Sequence, residues 1–261
     1  MEKEDILVTI VTPSYNQGQF IEDTIKSVLN QTYKNIQYIV VDGASTDNTM
    51  EVVERYRDKI DIIISERDKG QTDAINKGFK LAKGELVGWI NSDDMLYPYC
   101  VEEIVNLYKQ NPDGAIFYGS KIDKIDSNNN HLCYYINHMQ CHNRILRKNY
   151  DVSQPGSFYP KNILEKVNFL DESIYYCMDL DLFLKLSENG NIYSIDEKPL
   201  AKFRIWEEAK STTGRTKFVK NIRNVLYRHG AKLYNKSILI TYYWQIRFIV
   251  TDIIKSVLRI K

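Results

Sequence analysis

Up to Gln110 the chain repeats one pattern, in which a short apolar run and a polar turn precede apolar positions at helical spacing. Ile6 to Thr12 is a β-branched run that meets Pro13, after which Phe20, Ile21, Thr24, Ile25, Val28 and Leu29 share one helical face. Ile36 to Val41 reads as a second strand ending at Asp42-Gly43, with Ser45, Thr46 or Asp47 capping a helix that reaches about Arg57. Ile60 to Ser65 and Glu85 to Ile90 add two strands, and Gln71 to Lys83, closed by Gly84, and Pro98 to Gln110 add two helices. Apolar strands between amphipathic helices call for a mostly parallel sheet covered on both faces, an α/β fold. Ligands bind such sheets at the carboxyl ends of the strands. Those ends are Thr12-Pro13-Ser14-Tyr15-Asn16, Asp42-Gly43-Ala44-Ser45 and Asn91-Ser92-Asp93-Asp94, so three polar clusters are expected on one rim.

Beyond residue 115 the alternation lapses. Ala115 to Lys121, His131 to Ile136, Ser157 to Tyr159, Asn191 to Ser194 and Leu200 to Trp206 read as strands, and Asp179 to Glu188 as an amphipathic helix. Glu207 to Gly214 reads as a linker, dividing the chain into a body, 1–214, with halves meeting near residue 114, and a tail, 215–261. The composition, 43% hydrophobic and 26% charged with 12 Gly and 6 Pro, excludes disordered and collagen-like chains. Four cysteines, at 100, 133, 141 and 177, form no Cys-x-x-Cys pair, so buried free thiols are expected rather than a zinc or redox site. The opening MEKEDILVTI alternates acid and base and lacks the pattern of a signal peptide, which predicts a reducing, cytoplasmic setting.

Charge changes this picture. Residues 215–261 hold eleven Lys and Arg against one acid, Asp252, a local charge of +10; with a net charge of +1 for the chain, the remainder carries −9. Such a block points to a polyanionic partner. Ser237 to Ile254 is apolar but, at 18 residues, falls short of the ~20 that span a bilayer. Leu239, Tyr242, Tyr243, Ile246, Ile249, Val250, Ile253, Val257 and Ile260 make one broad helical face, with Arg247, Asp252, Lys255 and Arg259 opposite. The pattern is that of a helix lying on the inner face of an anionic membrane, the alternative being a face packed on the body or on a second subunit in a homodimer. A tail this apolar suits lipid better than nucleic acid, and no nucleic acid partner is expected.

The candidate chemistry lies on the rim and beyond it. Two adjacent carboxylates, Asp93 and Asp94, repel each other unless a cation or hydrogen bonds offset them, so they suit Mg²⁺ or Mn²⁺, or else a helix cap. Asp42 at a strand end, followed by glycine, can accept the N–H of a flat base while the backbone approaches it. Asp179 and Asp181 open a helix two residues apart and must point differently, leaving one free to enter a cleft while the other caps.

Three segments, VTIVTPSYNQGQFIEDTIKSVLNQTYKNIQYIVVDGASTDNT, SERDKGQTDAINKGFKLAKGELVGWINSDD and QPGSFYPKNILEKVNFLDESIYYCMDLDLFLKL, together resemble the family 2 glycosyltransferases over about residues 6 to 206. The resemblance implies a GT-A fold with a Rossmann-like nucleotide-sugar half, a mixed acceptor half and C-terminal helices. It implies an inverting, metal-assisted transfer from a nucleotide diphosphate sugar, a UDP-sugar foremost, to a glycan or glycolipid hydroxyl. Thr12, Pro13, Tyr15 and Asp42 then stand at the nucleoside, and Asp73, Asn91, Asp93 and Arg204 elsewhere along the donor. Asp93 and Asp94 match the metal-binding carboxylates, with Asn91 where aspartate is common, and Asp179 matches the general base. Trp206 replaces a histidine common among relatives, leaving an aromatic face that can stack on a sugar. The competing readings are a nucleotidyltransferase, although PSYNQGQF is not a Gly-rich basic phosphate loop, and a non-catalytic nucleotide-sugar-binding scaffold.

Overall fold

The computed structural model describes residues 6–207 and 215–258. Its strands are β1 (Val8–Ser14), β2 (Ile36–Asp42), β3 (Ile62–Ser65), β4 (Leu86–Trp89), β5 (Met95–Leu96), β6 (Gly114–Gly119), β7 (Lys121–Ile125), β8 (His131–Ile136), β9 (Phe158–Pro160), β10 (Asn191–Ile195) and β11 (Ala201–Arg204). Its helices are α1 (Ile21–Leu29), α2 (Thr49–Glu54), α3 (Gln71–Leu81), α4 (Cys100–Gln110), α5 (His142–Arg147), α6 (Lys161–Lys166), α7 (Met178–Ser187), α8 (Arg215–Arg228) and α9 (Lys236–Leu258).

The main sheet has the order β10-β6-β9-β4-β1-β2-β3, parallel except for β9, which runs antiparallel to β4 and β6. Alternate residues of the central strands feed two cores. Val11, Ile39 and Val41 pack with α3 and α7 on one face, while Val8, Ile10, Tyr38 and Val40 pack with α1, α2 and α4 on the other. Helix α3 lies so close to β1 that a Cβ on Gly78 would stand 2.4 Å from Val11 Cγ1, so only glycine fits.

Pro13 does not stop the first strand. Val11 turns its carbonyl to Ile90 on the β4 side, and Pro13, two residues on, turns its missing N–H to the same side. The β1–β4 ladder has already ended at Val11–Trp89, whereas pairing with β2 continues to Ser14–Asp42, so the proline leaves no hydrogen bond unmade.

The second half departs further from the periodicity. The expected strand Ala115 to Lys121 is two strands, because the chain turns at Ser120 and β7 leaves the main sheet for a second one ordered β5-β11-β7-β8. Helices α5 and α6 are too short to announce themselves by period. Helix α2 ends at Glu54 rather than near Arg57, and its N-cap is Asn48, with Asp47 accepting the Thr49 N–H at 3.0 Å from one residue earlier. Cys100 and Cys177 are buried, but Cys133 and Cys141 are exposed, correcting the expectation of four buried thiols. Cys133 lies on edge strand β8 and Cys141 in the turn before α5, where little packs over them.

Helix α8 and the first turn of α9 add Ile222, Val225, Leu226 and Ile238 to the core that holds α3 and α7. One clamp is ionic: Asp181 takes His229 Nε2 at 2.8 Å and Lys185 Nζ at 3.1 Å. Burial pushes the Asp181 carboxyl up, but these two partners outweigh it and hold the group below its ordinary value. A depressed carboxyl stabilises the fold above its unfolded value, about pH 4, and that contribution is lost as pH falls through the lower folded value. Asp181→Asn should therefore cost about 1–3 kcal/mol near neutrality and flatten the acid limb, which thermal melts between neutral and strongly acid pH will show.

Candidate active site

Four parallel strands end on one rim, and the loops leaving β1 and β2 are stitched together there. Asn16 N–H donates to Ser45 Oγ at 2.8 Å, Thr46 N–H returns to Asn16 Oδ1 at 2.8 Å, and Gln17 and Gly18 N–H donate to Thr49 Oγ1 and Asp47 at 2.8 and 2.9 Å. The small polar residues after Asp42 thus fix the loop pair. Asn16 and Ala44 adopt positive φ, 51° and 62°, while a Cβ at Gly43 would stand 2.6 Å from Asp68 Oδ2, so a larger residue there would displace the Asp68 side chain.

This rim walls a cleft of about 720 Å³ that includes Pro13, Ser14, Tyr15, Gly43, Asn91 and Asp93, with Tyr175 and Trp206 facing it. A second cavity, of about 480 Å³, shares Gln71, Asn91 and Asp93 with the first and runs on to Asp179, Tyr176 and Gln154. The Asn91–Asp94 turn therefore stands between two adjoining chambers. Several buried polar atoms along them lack a protein partner among the described residues: Ser14 Oγ and Gln17 Oε1 beside the first, Trp89 Nε1 and Ser153 Oγ beside the second. Unpaired buried groups are costly, and a polar ligand would satisfy them.

Asp93 and Asp94 play unequal parts. Asp94 is 1% exposed, with Oδ1 accepting the Arg204 backbone N–H at 2.9 Å and Oδ2 the Asn91 side-chain amide at 3.2 Å. Asp93 is half-buried, borders both chambers, and accepts the Trp206 indole N–H at 3.0 Å. Burial pushes both carboxyls above their ordinary range, Asp94 the further because the Asp93 charge adds to it. A cation beside Asp93 would relieve both effects, so this donor set fits a hard divalent ion that takes one or two carboxylates and keeps other positions for phosphate and water. Among the described residues no group of three or more His, Cys, Asp and Glu forms a closed metal cage.

The remaining sequence candidates divide. Pro13, Tyr15, Asn91 and Asp179 border the chambers. Asp179 stands in the first turn of α7 at the second chamber, with Oδ1 accepting the N–H of Leu180 at 2.8 Å, whereas Asp181 is turned away to His229. Thr12 is buried against the Tyr38 hydroxyl at 3.1 Å. Asp42 is fully buried, and its carboxylate accepts Ser45 N–H and Ser65 Oγ, both at 2.9 Å, as well as Ser45 Oγ. It thereby ties β2 to β3 and to its own turn, a task its place in the sequence did not suggest. Asp73 accepts Lys69 N–H at 3.0 Å and pairs with Lys77 at 3.5 Å at the start of α3.

Arg204 differs from expectation. Its guanidinium is 1% exposed, stacks 4.4 Å from the Phe20 ring centre and donates to the carbonyls of Asp93, Asp126 and Ser127 at 2.8 to 3.2 Å, with Asp23 at 3.4 Å. It braces the Asp93 turn and also lines the second chamber beside Asp93. Trp206, the substitute for histidine, reaches the same turn from the cleft side and packs edge-on to Phe20 at 5.3 Å. Gln71, which opens α3 and donates to Asn91 Oδ1 at 2.9 Å, Trp89 in β4 and Ser153 in the irregular segment before β9 escaped the sequence reading because isolated residues of these kinds carry no pattern.

Residues 9–167 match the model of the family described as Glycosyl transferase family 2. The chain belongs to that family. Among relatives of this glycosyltransferase domain, an uncharacterized glycosyltransferase of Rickettsia typhi is 31% identical over 79% of the chain and 66% of the relative, so the chain spans somewhat under two thirds of that protein. Two solved structures share the fold. Staphylococcus aureus TarS 1-349 in complex with UDP-GlcNAc has a TM-score of 0.67 at 18% identity, covering 94% of this chain and 72% of that one. The mannosyltransferase PcManGT from Pyrobaculum calidifontis in complex with GDP-Man and Mn²⁺ has a TM-score of 0.68 at 15% identity, covering 93% and 70%. The central sheet and following helices of the family 2 domain thus agree with the GT-A arrangement that its segments predicted.

Proposed function

We propose that this protein transfers a sugar from a nucleotide diphosphate sugar to an acceptor hydroxyl with inversion, in a single displacement. The observation that carries the reading is the pair of adjoining chambers that share Asp93, the second of which is also lined by Asp179. The first chamber takes the nucleotide, with Tyr15 as an aromatic wall and Ser14 Oγ and Gln17 Oε1 as unpaired polar groups. The UDP-GlcNAc held by the TarS fold neighbour favours a UDP-sugar.

Asp93 would hold Mg²⁺ or Mn²⁺, with Asp94 behind it fixing the turn; PcManGT was solved with Mn²⁺. When bound, such an ion supplies the positive charge that stabilises the leaving diphosphate. Asp179 accepts the proton of the acceptor hydroxyl as its oxygen bonds to the anomeric carbon and the bond from that carbon to the diphosphate breaks. A screen reading nucleoside diphosphate release across nucleotide sugars tests the reading; no release from any donor, with acceptor glycans and metal present, would overturn it.

The tail supports a site of action at an anionic membrane. In α9 the inner residues Ser237, Ile238 and Thr241 are buried, while Leu239, Tyr243, Ile246, Ile249, Val250 and Ile253 are exposed, Ile246 by 61%. Most of the apolar face read from sequence is therefore exposed, although Tyr242 packs on the Arg223 guanidinium at 3.7 Å; the side chains of Lys255 and Val257, and Arg259 and Ile260 altogether, lie outside the described residues, as do 208–214 of the expected linker. No helix among the described residues is long and apolar enough to cross a membrane. The full chain should float with anionic vesicles at low salt and sink as salt rises, since each basic residue near such a surface contributes about 1 kcal/mol. A chain ending at Tyr234 would float less; equal flotation of both, or of neither, removes the membrane role.

A further inference from the structure

A third hollow, of about 890 Å³, lies between α5, the segment following it, and the inner sides of α8 and α9. Its walls are of two kinds. Phe218, Ile222, Ile240, Trp244 and Phe248 line it with apolar surface, Lys236 stands at the start of α9 on the same helix as the last three, and Arg144 and Lys148 come from α5 and the residue after it. None of these three cations has a carboxylate partner among the described residues, although the protein pairs many of its other surface charges. The one acid of the hollow, Asp151, is engaged by the Tyr135 hydroxyl at 2.9 Å.

The hollow is firmly built. Ser237 Oγ donates to the Leu146 carbonyl at 2.6 Å, joining α9 to α5, and Arg223 donates to Thr241 Oγ1 at 2.9 Å, joining α8 to α9. Asp151 and Phe218 also border the Asp179 chamber, so the hollow adjoins the place where the acceptor hydroxyl is expected.

We propose that this hollow holds the lipid phosphate portion of the acceptor: an anionic amphiphile whose phosphate lies among Arg144, Lys148 and Lys236 and whose alkyl or isoprenoid chain lies along Phe218, Trp244 and Phe248. Charge complementarity selects the occupant. Cations with no carboxylate partner, of which Arg144 gives one N–H to the His138 carbonyl at 3.1 Å, beside aromatic and aliphatic side chains match a molecule with one anionic end and one apolar end, and neither free phosphate nor an uncharged chain satisfies both. The outer face of α9, with its exposed apolar residues, would bring that wall to the bilayer from which such a molecule comes. The proposal rests on the glycosyltransfer reading for the sugar end of the acceptor and names its other end.

The test titrates the full chain with farnesyl phosphate below its micelle concentration, followed by calorimetry, beside farnesol and inorganic phosphate. Saturable binding of farnesyl phosphate alone is expected. The double variant Lys148→Glu/Lys236→Glu should raise Kd at least about tenfold, and Lys148→Gln/Lys236→Gln by a smaller factor. No binding of farnesyl phosphate, equal binding of inorganic phosphate or of farnesol, or an unchanged Kd in the charge-reversed variant would overturn the proposal. Hydrolysis of the nucleotide sugar without acceptor separates the two readings, because it needs only the donor chamber. The variants should retain it in full, showing that they are folded. Its absence from the parent chain with every donor would count against glycosyltransfer and leave the titration to decide the hollow.

Discussion

Asp179→Asn should lower sugar transfer at least about a hundredfold, the usual consequence of losing a general base, with donor affinity nearly unchanged. The amide keeps the size of the carboxylate, and its oxygen can still accept the Leu180 N–H that the carboxylate accepts at 2.8 Å, so the first turn of α7 should keep its place. What it cannot do is take a proton at neutral pH. Initial rates with saturating donor and acceptor, beside a donor titration, measure both halves of the expectation. Asp181→Asn serves as the contrast, because Asp181 faces His229 and Lys185 and its loss should appear in stability rather than in the chemical step. An active Asp179→Asn beside an inactive but folded Asp181→Asn would move the base by two residues.

The second large effect is expected at the turn between the chambers. Asp93→Ala should abolish metal-stimulated transfer, with a loss of about 10² or more, comparable to removing a charge-stabilising group from a reacting centre. Chelation of the parent protein should do the same, and added Mg²⁺ or Mn²⁺ should restore it; full activity in chelator would end the metal assignment. The inequality of the two carboxylates makes the prediction sharper. Asp94→Asn keeps an oxygen for the Arg204 backbone N–H and gives up the bond from Asn91, so it should weaken the turn and reduce the rate by a smaller factor than Asp93→Ala. If Asp94→Asn proves the worse, the ion is held by the inner carboxylate. Mn²⁺ binding followed by electron paramagnetic resonance, with and without UDP, reads the ligand directly.

The sequence by itself determined the parallel half of the fold and the place of its rim. β-Branched runs between helical periods allow little besides a parallel sheet covered on both sides, and the carboxyl ends of its strands can then be counted off the chain. It also marked Asp93 and Asp94 at a strand end and the pair Asp179 and Asp181 at a helix start, while the choice of Asp179 came from the family resemblance. The tertiary structure decided what each of these groups faces. Asp42 and Arg204 carry charge at positions that the family resemblance reads as ligand contacts; the structure engages Asp42 with Ser45 and Ser65, and Arg204 with three carbonyls while it also lines the second chamber. Only long-range packing brings Trp206 to Asp93 across 113 residues, or His229 to Asp181. The same holds for the tail. Periodicity found the two-sided character of α9, but an apolar stripe looks alike whether it is buried or bare. The structure seats Ser237, Ile238 and Thr241 inward and leaves most of the apolar stripe outside, because the inner side of the helix is the one whose small residues let it approach α5 and α8.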